Sequence, residues 1–133
     1  MSEHPRLQDI RQDRMSAFVE MLGLKLIHLD QDGCSMRLET RPEHLNTSGR
    51  VHGGVTFSML DTAMGAAVFA HLNADETTAT IESKINYMQG ITRGVVDCQA
   101  RVVHLGSRTA VVEGEVWQNG VLAAKCLGTF ARI

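Results

Sequence analysis

Between Arg50 and Asp75 the only Asp, Glu, Lys or Arg is Asp61, in a run otherwise made of Gly, Ala, Val, Leu, Met, Phe, Ser and Thr with two histidines and one Asn. The pattern predicts a helix over about 52–72 that is apolar on nearly all sides, and such a helix must be buried by what surrounds it. The rest of the chain therefore has to wrap it. A carboxylate placed there either faces a polar cavity or is costly to bury, which makes Asp61 a candidate functional group. Just upstream, His52-Gly53-Gly54 gives the helix a start that exposes backbone.

The remaining sequence supplies a wrapper. Leu7, Ile10, Met15, Phe18, Val19 and Leu22 lie near helical spacing among charges and Gly23 can stop the run, so 6–22 reads as one amphipathic helix. Short strands fit 24–30 and 33–40, because Asp30-Gln31-Asp32-Gly33 is a turn signal between them. A loop over 41–50 leads to the apolar helix. Segments 77–89, 94–105, 108–118 and 121–132 are rich in Val, Thr and Ile and are punctuated by Gly90, Gly94, Gly106 and Gly120. Along 111–117, Glu113 and Glu115 alternate with Val112, Gly114 and Val116, as in a strand with one wet face. Asn119-Gly120 predicts a two-residue hairpin joining the last two strands. The expected fold is α+β, an antiparallel sheet curled around one long helix, in a single domain over 1–133.

Charge and composition exclude several functions. A net charge of −2 and 5% aromatic residues provide neither the basic surface nor the stacking platforms that nucleic acid requires. The charged N-terminus MSEHPRLQDIRQDRM has no apolar core of the kind a secretory signal carries, and the 51–74 run is too polar to span a membrane. The expected location is cytoplasmic. Cys34, Cys98 and Cys126 are odd in number, widely spaced and without a CxxC pair, so they are expected to be reduced, partly buried thiols. The histidines show no metal-binding spacing, and no metal or cofactor is expected. Neither a Gly-x-Ser-x-Gly elbow nor a phosphate-loop spacing occurs.

The segment Asn46-Thr47-Ser48-Gly49-Arg50-Val51-His52-Gly53-Gly54, running on to Asp61, resembles the Asn-x5-His-Gly-Gly-x7-Asp signature of hotdog-fold acyl-CoA thioesterases of the phenylacetate-pathway (PaaI-like) group. Thr80-Ile81-Glu82-Ser83-Lys84-Ile85-Asn86-Tyr87-Met88 resembles that group's next strand, and Leu105-Gly106-Ser107-Arg108-Thr109 its following hairpin. The resemblance spans about 46–132. It implies hydrolysis of a small aryl-acetyl or medium-chain acyl-CoA, with Asn46 and Thr80 as polar groups near the nucleophile. His52 is expected to orient the loop or to contact the thioester.

Thioester hydrolysis needs a water or carboxylate to attack the carbonyl carbon and a donor to hold the developing oxyanion. Asp61 can supply the first, by direct attack or as a general base. Gly53, at a helix N-terminus with unpaired N–H groups and no side chain in the way, can supply the second. Eight helical residues rise about 12 Å, so both groups of one helix cannot reach one carbonyl. Two copies packed with antiparallel helices about a two-fold axis would bring Gly53 of one opposite Asp61 of the other. A homodimer is therefore expected, and the resemblance implies edge-to-edge sheets with dimers pairing into a homotetramer.

The phosphates of CoA call for basic groups and backbone donors. Arg41, Arg50, Lys84, Arg93 and Arg108 are the nearby cations; the resemblance favours Arg108, with Lys84, Arg93 and Gly54 completing the expected substrate-binding set. Phe57, Met59, Met64 and Tyr87 are candidates for shaping the acyl pocket, although core packing is the ordinary use of such residues. Two other functions fit the motif less well. A hotdog enoyl-CoA hydratase or dehydratase would use His52 and Asp61 for proton transfer, and a non-catalytic acyl-CoA-binding protein would keep the pocket without the acid.

Overall fold

The computed structural model describes residues 3–133, so Met1 and Ser2 of the expected 1–133 domain lie outside it. Two short helices, α1 (Pro5–Arg11) and α2 (Ala17–Leu22), precede β1 (Lys25–Asp30) and β2 (Gly33–Glu39). A 3-10 turn (Pro42–His44) and a loop lead into the long helix α3 (Gly53–Phe69). Then come β3 (Thr78–Tyr87), β4 (Val95–Leu105), β5 (Thr109–Gln118) and β6 (Val121–Arg132). The strands form one six-stranded antiparallel sheet in the order β1-β2-β4-β5-β6-β3. Helix α3 touches all six strands, which is the hotdog arrangement. Among the described residues no helix is long and apolar enough to cross a membrane.

The turns follow from their residues. Asn119 and Gly120 both adopt positive φ (51° and 75°), the type I′ geometry whose twist matches that of the strands it joins. Glu113 and Glu115 stay partly exposed while Val112, Gly114 and Val116 are buried, so β5 alternates as expected. All three cysteines are free and buried. Burial pushes the Cys34 thiol up to about 12 and raises Cys98 and Cys126 as well, which keeps them protonated and unreactive.

Two expectations need correction. The single helix over 6–22 is two helices, because Asp13 turns left-handed (φ 55°) and its Oδ1 accepts from the Leu26 amide at 2.9 Å, tying the break to the start of β1. Ser16 then caps α2, its Oγ accepting from the Val19 amide at 3.2 Å. Phe18, assigned to one continuous stripe with Leu22, is 51% exposed. Helix α3 is likewise not wrapped on every side within one chain. Thr56, Met59, Leu60, Ala63, Met64, Ala66, Ala67 and Val68 are buried, whereas Ser58, Asp61, Thr62, Gly65 and Phe69 are only partly covered. Small residues on both faces hide the distinction in the sequence, since Gly, Ala, Ser and Thr suit either environment.

The sheet has two edge strands, β1 and β3, of which β3 is the longer. Strand β3 pairs only with β6, and its outer edge is ten residues long. Ile81, Tyr87 and the adjacent Met88 are more than half exposed on or beside it. Long edges of this kind pair with another strand unless they are protected.

Candidate active site

The first turn of α3 is built from backbone. His52 occupies the N-cap with extended geometry (φ −60°, ψ 137°), and its Nδ1 accepts from the Gly54 amide at 2.8 Å. The Val55 and Thr56 amides donate to the His52 carbonyl. Of the four N–H groups that a helix start leaves over, only that of Gly53 has no acceptor among the described residues. The amide expected to hold an oxyanion is thus the free one, and the Gly54 amide is committed to His52. With Nδ1 accepting, neutral His52 carries its proton on Nε2, which suits orientation of the loop or donation rather than general-base work.

Tyr87 locks this turn from the side. Its hydroxyl donates to the Gly53 carbonyl at 2.7 Å, and a Cβ on Gly53 would lie 3.2 Å from that oxygen. Burial raises the Tyr87 pKa above its ordinary value, so the group remains a donor at neutral pH. Asn46 holds the loop before the helix: its Oδ1 accepts from the Ser48 and Arg50 amides at 2.9 and 3.1 Å. Asn46, Arg50, Gly53, Thr56 and Tyr87 line a cavity of about 250 Å³.

Asp61 lies two turns further on, at a different opening. Thr80 Oγ1 donates to Asp61 Oδ1 at 2.7 Å, and among the described residues Oδ2 has no hydrogen-bond partner. A bulge beside Thr80, between its pairing with Phe130 and that of Glu82 with Thr129, shifts the register of β3 at this point. The cavity here is about 340 Å³, and Ile10, Met15, Gly65, Phe69 and Phe130 make most of its apolar wall. Arg6, Asp9 and Arg14 also line it.

The expected site residues therefore fall into two groups on one chain. Thr80 joins Asp61, whereas Asn46, His52 and Gly54 stay with Gly53; Asp61 lines the larger of these two cavities and Gly53 the smaller. Lys84, Arg93 and Arg108 are exposed and line neither cavity. Arg50 lines the Gly53 cavity, while Arg41 donates to the Met21 carbonyl and faces Glu43. Met59 and Met64 are core residues, 0% exposed. His71 lies just beyond the end of α3, with Nε2 at 3.1 Å from the Gln31 carbonyl. The contributions of Tyr87 to the first turn, and of Ile10, Met15, Phe130 and the two arginines to the Asp61 cavity, carry no local motif. They come from segments far apart in the chain.

Residues 48–124 match the thioesterase superfamily. The chain is 40% identical to a conserved Pseudomonas aeruginosa protein of known structure, with a TM-score of 0.86 over 92% of this chain and 98% of that one. It is 30% identical to the phenylacetic acid degradation protein PaaI from Thermus thermophilus, with a TM-score of 0.81 over 89% and 100%. The 1,4-dihydroxy-2-naphthoyl-CoA hydrolase of Listeria monocytogenes is 23% identical over 94 residues, 71% of this chain and 76% of that one. With a matched segment that runs from the loop before Gly53 into β6 and includes Gly53, Asp61 and Thr80, this chain belongs to the thioesterase superfamily and is a thioester hydrolase.

Proposed function

We propose that the substrate is a small aryl-acetyl or medium-chain acyl-CoA, and that it is cleaved between Asp61 of one subunit and the Gly53 amide of a second copy in a homodimer. The observation that carries this reading is the separation of two incomplete half-sites along one helix: a Gly53 N–H free among the described residues lines one cavity and the Thr80-held Asp61 carboxylate lines another. The open β3 edge with exposed Ile81, Tyr87 and Met88 supports a partner that covers that face. Relatives named for phenylacetic acid degradation and for a naphthoyl-CoA support a CoA thioester with an aryl acyl group.

In this reading Asp61 Oδ2 takes a proton from a water whose oxygen adds to the thioester carbonyl carbon. The oxyanion accepts from the N–H of Gly53 of the partner subunit, which costs no reorganisation because that donor is already fixed by the helix start. The tetrahedral intermediate expels the CoA thiolate, which takes the proton held on Asp61, leaving the free acid. Direct attack by Asp61, giving a mixed anhydride that water then opens, uses the same two half-sites. Neither route calls on a metal or redox group. Lys84, Arg93 and Arg108 are the cations proposed to meet the CoA phosphates at the surface.

Thiol release from phenylacetyl-, benzoyl- and hexanoyl-CoA tests the reaction. Wild type is expected to turn over at least one of them, and Asp61→Ala to lose at least about a hundredfold in kcat with the fold and dimer intact. Equal rates in the variant remove Asp61 from its role. Mixed Asp61→Ala and Gly53→Pro chains should recover activity, since the heterodimer contains one complete site; a fully active monomer in sedimentation would overturn the shared site.

A further inference from the structure

We infer that the Asp61 cavity takes an acyl group with an apolar body and an anionic far end, an ω-carboxyacyl thioester, for which Gly65 makes the room and Arg6 reads the second carboxylate. The inference rests on the reading of Asp61 as the acid at the thioester carbonyl.

Gly65 is the first observation. Glycine in a helix interior costs stability relative to alanine, so its presence asks for a steric reason. Gly114 and Gly128 on the sheet have one: a Cβ at either would come within 2.8–3.0 Å of atoms packed against it. Gly65 has none, because its only neighbour would be the Phe130 ring at an ordinary 3.7 Å. It lies one helical turn beyond Asp61 and opens onto the same cavity, so what its missing side chain preserves is the cavity. A space of about 340 Å³ walled by Ile10, Met15, Phe69 and Phe130 beside the acid suits the body of an acyl group rather than water alone.

The charges along the same wall are the second observation. Arg14 is shared with Asp9, at 3.1 Å, whereas no carboxylate pairs with Arg6 among the described residues. The α1–α2 side of the cavity therefore carries one surplus positive charge facing the space that Asp61 opens onto. A guanidinium there offers a fork of donors that fits a carboxylate and finds nothing to bond on a saturated chain end.

Hexanoyl-CoA and adipyl-CoA have the same carbon count and differ only at the far end. Wild type is expected to favour adipyl-CoA by about tenfold or more in kcat/KM, the discrimination of one charge-assisted contact. In Arg6→Gln the adipyl-to-hexanoyl ratio should fall to about one, with the loss in KM. Gly65→Leu should depress both six-carbon substrates relative to acetyl-CoA, and Gly65→Ala should shift that ratio the same way by less if the leucine variant fails to fold. A wild-type ratio at or below one overturns the inference while leaving thioesterase activity standing. So does an Arg6→Gln variant that loses hexanoyl- and adipyl-CoA turnover alike, since that would put Arg6 on the CoA phosphates. Failure to hydrolyse any acyl-CoA would remove the site reading itself, and the inference with it.

Discussion

Gly53 offers a clean separation of its amide from its missing side chain. Position N1 of a helix tolerates proline, which lacks the N–H and is pre-set to the helical φ. The residue before a proline must be extended, and His52 already is, at φ −60° and ψ 137°. Gly53→Pro therefore deletes the donor at a site where the backbone accepts the ring. Gly53→Ala is the control, adding a Cβ against the same Tyr87 hydroxyl at 3.2 Å while keeping the amide. The proline variant should lose about 10²–10³ in kcat relative to the alanine variant, the cost of removing one oxyanion donor. Equal kcat values in the two would show that the amide takes no part. The two candidates Gly53 and Asp61 are legible in the sequence, because the Gly-Gly step and the lone acid stand out from their neighbours. Tyr87 is legible only as a candidate for the acyl pocket; its hold on the first turn is not, because its hydroxyl reaches Gly53 across 34 residues.

At the scale of the element, α3 is held against the sheet by glycines that let it approach and is opened towards the cavity by one of its own. The same substitution should therefore change stability in opposite directions at two places. Gly65→Ala adds a methyl at 3.7 Å from the Phe130 ring and relieves the entropy cost of glycine in a helix, so it should stabilise by about 0.5–1 kcal/mol. Gly114→Ala pushes a methyl to 2.8 Å from Leu60 and 3.1 Å from Met64, both in the closed core, and should destabilise by about 1–3 kcal/mol. Urea titrations of the two variants decide this; a destabilised Gly65→Ala would mean that its face is packed rather than open. Strand limits agreed with the sequence to within two residues because Gly, Asn and Asp mark their ends. The break between α1 and α2 is not visible in the sequence because the bond from Leu26 to Asp13 that fixes it is a tertiary contact, and apolar spacing alone continues across it.

The parts of the molecule distant from the site are tied together by one ion pair. Arg132, at the end of β6, donates from Nε and Nη2 to the two oxygens of Glu76 at 3.0 and 2.8 Å, and from Nη1 to the Gly106 carbonyl at 2.7 Å. Glu76 also takes the Asn73 amide at 2.9 Å, and its carbonyl lies 2.7 Å from Nε2 of buried His4. The α1 entry, the segment after α3, the β4–β5 hairpin and the last strand thus meet around Glu76 and Arg132. These bonds, the Arg132 guanidinium first, hold the Glu76 carboxyl down to about 2, against an unfolded value of about 4.3. Because the folded value is the lower one, the unfolded chain binds the extra proton in acid. The stability from this pair is complete above about pH 4.5 and is lost as pH falls towards 2. Glu76→Gln should lower Tm at pH 7, and the gap to wild type should close between about pH 4.5 and 2. Thermal melts of both proteins across that window give the difference curve. A gap that stays constant with pH would show that Glu76 contributes by shape rather than by charge.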